Sequence, residues 1–305
     1  MSQPLDTSTV KLTANLSEDK VAVQQRSIER LKADPRGFVN RYRMDFGDHF
    51  NPDNAADLFP DYCSSPENLA KYRTAVAGAA GWVSDEAFKE RLAEPDEIPV
   101  LFTAGGTASG KSTIAGPAAD AGLIVFDSTF SNTDLSKQRL QEALGSGRHV
   151  EVCYIYRDPG EAWSAGKTRT EEEGAGRTLT TQVHASTHEG AAKTLEQLTR
   201  DFSNNPQVEF RFFENSTAHG LQVGGLELTR KGERTRVAGD ALQKIMPSTP
   251  TAMPAKLPRE HLARLSRERL TDYVYLIAMA AVDQCKENKD LFLRQYPRLD
   301  FRKRK

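Results

Sequence analysis

The stretch that most constrains this 305-residue chain is Gly105-Gly106-Thr107-Ala108-Ser109-Gly110-Lys111-Ser112, followed by Thr113. It satisfies the pattern G-x-x-x-x-G-K-[ST]. An apolar run, Ile98-Pro99-Val100-Leu101-Phe102-Thr103, precedes it and a helical pattern over Ser112–Asp120 follows. Glycines in such a loop let backbone N–H groups turn inward around a phosphate, and the helix start beneath them adds partial positive charge. In this arrangement Lys111 reaches the β- and γ-phosphates of a nucleoside triphosphate and the Ser112 hydroxyl ligates Mg²⁺. A fortuitous Gly-rich turn is the competing reading, and the strand before and helix after speak against it.

From the loop onward, strand and helix signals alternate. Strands are expected at Gly122–Phe126, Val150–Tyr156 and Val208–Glu214, and helices at Leu135–Ala143, Glu161–Glu173 and Thr187–Phe202. Strands separated by helices predict an α/β fold, a P-loop NTPase-type parallel sheet flanked by helices. Ahead of it, Ser17 to Arg43 is helical in pattern, broken by Asp34-Pro35-Arg36-Gly37, and Glu67 to Leu92 reads as one or two helices. Gln222 to Arg236 alternates as an edge hairpin would. The expected organisation is a disordered N-terminus over 1–16, an N-terminal helical segment over 17–97 that contributes to the core, a P-loop core over 98–245, a Pro-rich linker over 246–258, and a C-terminal helix with a basic tail over 259–305.

Composition closes off other classes. At 38% hydrophobic and 27% charged the chain is too apolar for a disordered protein and too polar for a membrane protein. The run Val274–Val282 is about half of what a bilayer requires, and Met1 to Asn15 has no apolar core of a secretion signal. Cys63, Cys153 and Cys285 are odd in number and far apart. They read as buried free thiols in a reducing compartment, hence a cytoplasmic protein. Net charge is −1, yet residues 221–305 hold 18 Lys and Arg against 10 Asp and Glu, ending in Arg302-Lys303-Arg304-Lys305. That end is a solvated tail or a contact for nucleic acid or an acidic partner.

Leu123-Ile124-Val125-Phe126-Asp127 is apolar and ends in an acid at the strand terminus that faces the ligand crevice of an α/β sheet. Asp127 therefore holds Mg²⁺ or substrate, or else caps the turn at Ser128 and Thr129. Arg169, and Arg177 in Gly174-Ala175-Gly176-Arg177, sit in a segment that would neutralise phosphoryl charge; alternatively Arg169 pairs with Glu172 or Glu173 on an exposed helix. Arg157, next to Asp158-Pro159, is a second crevice candidate or a turn ion pair.

The ordered series of phosphate loop, Val125-Phe126-Asp127-Ser128-Thr129-Phe130, Val150-Glu151-Val152-Cys153-Tyr154-Ile155-Tyr156-Arg157-Asp158-Pro159, Arg169, and Arg177 with His184 resembles the zeta-toxin family of P-loop kinases over about residues 98–215. The resemblance implies transfer of phosphate from ATP or GTP to the sugar 3′-hydroxyl of UDP-N-acetylglucosamine, which poisons cell-wall synthesis, and it implies an antitoxin or immunity partner. It gives Lys111 and Ser112 the phosphate, Asp127 the substrate, and Arg169 and Arg177 the closing contacts on the phosphates. Asp127 stands where members of the family can carry Glu, a shorter reach.

One departure stands out. The family places its catalytic Asp on the strand directly after the phosphate-loop helix, with another helix before the strand that matches Asp127. Only fifteen residues separate Lys111 from Asp127 here, and Pro117 shortens the intervening helix further. Phe50-Asn51-Pro52-Asp53, followed by Leu58, Pro60 and Tyr62, resembles the missing piece, and Glu67–Leu92 the helix after it. A rearranged element order would make Asp53 the general base; otherwise Asp53 caps a helix starting near Asn54 and Asp127 takes the role.

His184 and His188 share a helix face but have no metalloprotease-type acid between them and no third ligand, so they read as core or surface residues, with His184 able to line the site. Trp82 and Trp163 read as core, and Asn215 as a turn residue or a contact to the nucleotide base. The function so predicted is an ATP/GTP-dependent, Mg²⁺-requiring phosphotransferase acting on a nucleotide sugar. The alternatives are a polynucleotide or nucleoside kinase and a non-catalytic nucleotide-binding interaction module.

Overall fold

The computed structural model describes residues 5–173 and 180–216, together with short strands at 220–223, 226–228 and 234–236. Cys285, the stretches expected as linker (246–258) and C-terminal helix (259–287), and the basic end lie outside the described residues. The described chain divides into two compact units, one of residues 5–94 with 167–173, the other of 95–166 with 180 onward.

The first unit is helical. α1 (Glu18–Ala33) and α2 (Pro35–Phe46) meet at Asp34, whose carboxylate accepts from Gly37 N at 2.9 Å and caps α2 ahead of Pro35. A two-residue strand, β1 (His49–Phe50), leads into α3 (Pro52–Ala56) and α4 (Pro60–Cys63). Glu67–Leu92 forms one helix, α5 (Pro66–Leu92), capped by Ser65. The glycines at 78 and 81 do not break it, because packing along its length holds them. Phe38 stacks on Phe59 at 4.9 Å and Phe50 meets Phe88 edge-on at 5.4 Å, each burial stabilising by about 1.5–3 kcal/mol. Arg91 is fully buried; its Nε donates to Asp48 at 2.9 Å.

Two expectations change here. Residues 5–16 were expected to be disordered; instead they run along α5. Trp82 Nε1 donates to Asp6 O at 3.1 Å, Thr13 Oγ1 donates to Thr74 O at 3.0 Å, and Thr13 N donates to Gln24 Oε1 at 2.8 Å. Gly78 admits this strap, since a Cβ there would overlap Lys11 O. Polar side chains replace the missing apolar pattern, which is why the pattern gave no warning. Cys63, expected buried, is exposed at the end of α4.

The second unit is the α/β core. β2 (Val100–Ala104) pairs parallel with β3 (Ile124–Asp127) on one side and β4 (Val150–Tyr156) on the other. β4 pairs parallel with β5 (Val208–Ser216), and β6 (Gly220–Val223) adds antiparallel to β5. β7 (Leu226–Leu228) and β8 (Arg234–Arg236) pair antiparallel in a sheet of their own, where an edge hairpin over Gln222–Arg236 was expected. The helices are α6 (Ser112–Asp120), α7 (Thr133–Gly145), α8 (Pro159–Glu173, which continues into the segment grouped with the first unit) and α9 (Thr181–Asp201). α6 keeps nine residues despite Pro117 inside it. α9 begins six residues earlier than its apolar pattern suggests, because Thr180 caps it by accepting from Val183 N at 3.3 Å. β2 and β3 are buried throughout, as strands covered on both faces must be. The order β3-β2-β4-β5 reverses the direction of travel at β2. In open α/β sheets the ligand crevice opens at the carboxyl end of such a switch point.

Candidate functional site

β2 ends at Ala104 and the chain turns at once into the phosphate loop. Gly105 has φ +136° and Gly110 φ +102°, conformations that side chains resist, and Ala108 accepts φ 58°. Space excludes side chains as well: a Cβ on Gly105 would strike Ile155 O, one on Gly106 the His188 imidazole, and one on Gly110 Asn215 Nδ2. The amides of Gly105, Ser109 and Thr113 are spent on Thr129 O, Gly106 O and Gly110 O. Among the described residues, those of Ala108 and Gly110 have no protein acceptor. With Ser112 N at the start of α6, likewise without a protein acceptor among the described residues, they are open to an anion. Ser109 Oγ is buried and has no partner among the described residues. A hydroxyl so placed costs about 1–3 kcal/mol unless a polar ligand meets it. Glycine conformation, unpaired amides and a buried hydroxyl together fit a polyphosphate.

Lys111 folds back over its own loop, its Nζ donating to Gly105 O at 3.0 Å and Gly106 O at 2.9 Å. Asp127 stands at the end of β3, directly across from Thr103 in the parallel register. Thr103 Oγ1 donates to its Oδ1 at 2.6 Å, and both residues are buried. Asp127 is thus a carboxylate held at the carboxyl end of β3. Asp127 and Ser112 offer oxygen donors only, the set that suits Mg²⁺, which binds through one or two protein oxygens plus phosphates and water.

Asp53 lies in the first turn of α3 in the other unit. Asn51 caps that helix, accepting from Asp53 N at 2.6 Å, while the Asp53 carboxylate is paired with Arg73. The cap role thus falls two residues earlier than Asp53. Arg169 belongs to α8 by its backbone, and its side chain lies outside the described residues, as does Arg177 altogether. Asp158, beside Arg157, caps α8 by accepting from Gly160 N at 2.8 Å and Glu161 N at 3.1 Å.

Several contacts to the loop were not read from the sequence as such. Asn215 Nδ2, at the end of β5, donates to Ser109 O at 2.8 Å and so braces the loop. Thr187 Oγ1 accepts from Thr107 N at 3.2 Å, His184 Nδ1 meets Thr107 Oγ1 at 2.7 Å, and His188 Nε2 meets Thr107 O at 3.0 Å. His184, Thr187 and His188 fall at i, i+3 and i+4 on α9; that spacing was the available signal, and the histidine pair read as core or surface residues, with His184 able to line the site. Trp163 sits edge-on against His184 at 5.3 Å. Burial holds the His188 imidazole below its ordinary range, with His184 and Lys111 nearby adding to the depression and the Thr107 carbonyl and Asp158 opposing it. Cys153, in β4 beside Thr103 in the register, is buried, and burial pushes its thiol well above the usual range, a packing residue rather than a nucleophile. No helix among the described residues is long and apolar enough to cross a membrane.

Comparison with known proteins bears on the same segment. The Zeta toxin family model matches residues 118–217, from within α6 to just past β5; it takes in Asp127, Arg169, Arg177, His184 and Asn215 and starts after the phosphate loop. No curated protein matches the chain. Among solved structures, the AvrRxo1-ORF1:AvrRxo1-ORF2 complex with sulphate ions is 17% identical, covering 66% of this chain and 84% of that one at a TM-score of 0.37. A structure of the PezAT chromosomal toxin-antitoxin system of Streptococcus pneumoniae is 12% identical, covering 90% of this chain and 100% of that one at a TM-score of 0.34. The family that this chain resembles, over the segment carrying Asp127 and the strands beyond it, is the zeta toxins.

Proposed function

We propose that the chain is a Mg²⁺-dependent phosphotransferase of zeta-toxin type, which moves the γ-phosphoryl group of ATP or GTP onto a sugar hydroxyl of a nucleotide sugar such as UDP-N-acetylglucosamine. The observation that carries this reading is the pairing of two features at the carboxyl ends of neighbouring parallel strands. The phosphate loop leaves β2, and Asp127, in register with Thr103, ends β3. A triphosphate gripped by the loop would put its terminal group on the side where that carboxylate stands.

In this reading the hydroxyl oxygen forms a bond to the γ-phosphorus as the bond to the β-bridging oxygen breaks. A carboxylate takes the hydroxyl proton and the nucleoside diphosphate leaves. Lys111 exchanges the carbonyls of Gly105 and Gly106 for the phosphates. Ser112 and Asp127 would hold Mg²⁺, which when bound neutralises phosphate charge. Arg169 and Arg177 supply guanidinium charge to the same oxygens. The proton acceptor is Asp53 in a rearranged order or Asp127 in its place; turnover at saturating ATP that is lost in Asp53→Asn supports the first, and turnover kept there supports the second. An antitoxin or immunity protein is the expected protein partner.

The test offers labelled ATP to the purified chain with UDP-N-acetylglucosamine in one arm and a 5′-hydroxyl oligonucleotide in the other. Label on the sugar nucleotide, lost in Lys111→Ala, supports the reading. Label on the oligonucleotide alone moves the chain to the polynucleotide kinases. Binding of ATP with transfer to neither acceptor favours a non-catalytic nucleotide-binding module.

A further inference from the structure

All three polar atoms of Thr107 are tied to a single helix. Its N–H goes to Thr187 Oγ1 (3.2 Å), its hydroxyl to His184 Nδ1 (2.7 Å), and its carbonyl to His188 Nε2 (3.0 Å). The partners fix the protons. Thr187 Oγ1 donates to His184 O at 2.8 Å, so toward Thr107 N it accepts. His184 Nε2 faces Pro159 O at 2.9 Å, an acceptor only, so Nε2 carries the proton. In the neutral ring Nδ1 then accepts from the Thr107 hydroxyl. His188 Nε2 faces a carbonyl and likewise carries its proton.

Thr107 lies in the middle of the phosphate loop, and its N–H is taken by Thr187 on α9. The His184 imidazole also joins the first turns of α8 and α9 to the loop through Pro159 O. The His188 ring occupies the place a Cβ on Gly106 would take.

We propose that His184, Thr187 and His188 are positioning residues. They hold the phosphate loop open in its anion-binding shape before nucleotide arrives, so that the remaining amides meet the phosphates without rearrangement of the backbone. This rests on the reading of the loop as a triphosphate cradle. A loop that spends part of its time in other shapes binds more weakly by the fraction of time it is competent. The effect therefore falls on nucleotide affinity and not on the transfer step.

Thr187→Val keeps the side-chain shape and removes the acceptor for Thr107 N together with the hydroxyl's contacts to His184 O and Thr107 Oγ1; Thr187→Ser returns a hydroxyl. Two measurements separate the clamp from the cradle. The first is hydrogen exchange of the 105–112 amides without nucleotide. Faster exchange in Thr187→Val, returning toward wild type in Thr187→Ser, is expected; identical exchange in all three proteins overturns the clamp whatever the loop binds. The second is ATP affinity and steady-state kinetics. Kd and KM for ATP are expected to rise about tenfold in Thr187→Val with kcat held, and to recover in Thr187→Ser. A fall in kcat at constant KM overturns the proposal, since it marks a smaller folded fraction instead. Wild-type protein that binds no ATP overturns the cradle reading, while the exchange result still judges the clamp.

Discussion

Thr103 and Asp127 face each other on neighbouring parallel strands, and the Thr103 hydroxyl donates to the Asp127 carboxylate at 2.6 Å in a buried setting. A hydrogen bond to a charged group contributes about 1.5–3 kcal/mol, more than one between neutral partners. It orients Asp127 at the mouth of the crevice before any ligand enters. Asp127→Asn preserves shape and removes charge. Phosphotransfer is expected to fall by about a hundredfold or more, the usual contribution of a positioned acid–base group. Thr103→Val, which removes one hydrogen bond from the carboxylate, should lose less. Steady-state rates with thermal unfolding of both variants check this; an unchanged rate in Asp127→Asn removes Asp127 from the chemistry.

Lys111 is the loop's own counter-charge, resting on Gly105 O and Gly106 O. Lys111→Ala is expected to cut turnover by orders of magnitude and to leave the circular dichroism spectrum unchanged. Transfer at the wild-type rate in this variant refutes the assignment of the loop.

Two loop glycines are required for different reasons, and double variants distinguish them. Gly106 has no positive φ; its constraint is the His188 ring alone. Gly106→Ala should weaken ATP binding about tenfold, the result of overpacking by about 1–3 kcal/mol, and His188→Ala should restore part of that loss. Gly110 carries φ +102° and faces Asn215 Nδ2. Gly110→Ala should lose binding to a similar extent, and Asn215→Ala should restore none of it, since the backbone strain remains. Isothermal titration of ATP into the four proteins reads both outcomes.

His188 ties folding to pH. Its folded-state affinity for a proton is depressed below the ordinary value of 6.5, chiefly by burial. The unfolded chain therefore binds more protons than the native one as pH falls through and below 6.5, so stability declines there and is full above it. The melting temperature of the wild type is expected to drop between pH 7.5 and 5.5 by more than that of His188→Gln. Parallel slopes in the two proteins remove His188 as the source.

The glycine spacing, the apolar run before it and the helix after it depend on neighbours a few residues apart, and they named the phosphate loop, β2, α6 and the acid at the end of β3 without a structure. Alternation of strand and helix patterns gave the parallel sheet for the same reason: periodicity of 2 and of 3.6 is written into adjacent residues. The N-terminal strap escaped notice because it is held by polar bonds to α5, with Trp82 and Thr74 more than sixty residues away from it, and no local pattern encodes them.

The same division runs through the site. Thr107 and its three partners stand about eighty residues apart in the chain. A histidine at one end of α9 is chemically indistinguishable in sequence from a surface or metal-binding one. Only the return of α9 to the carboxyl end of β2 makes it a brace. The sequence alone was sufficient to point to a phosphate-gripping loop, since that pattern resides in contiguous backbone. What steadies the grip was decided by tertiary structure, because packing brings together groups that no spacing along the chain relates.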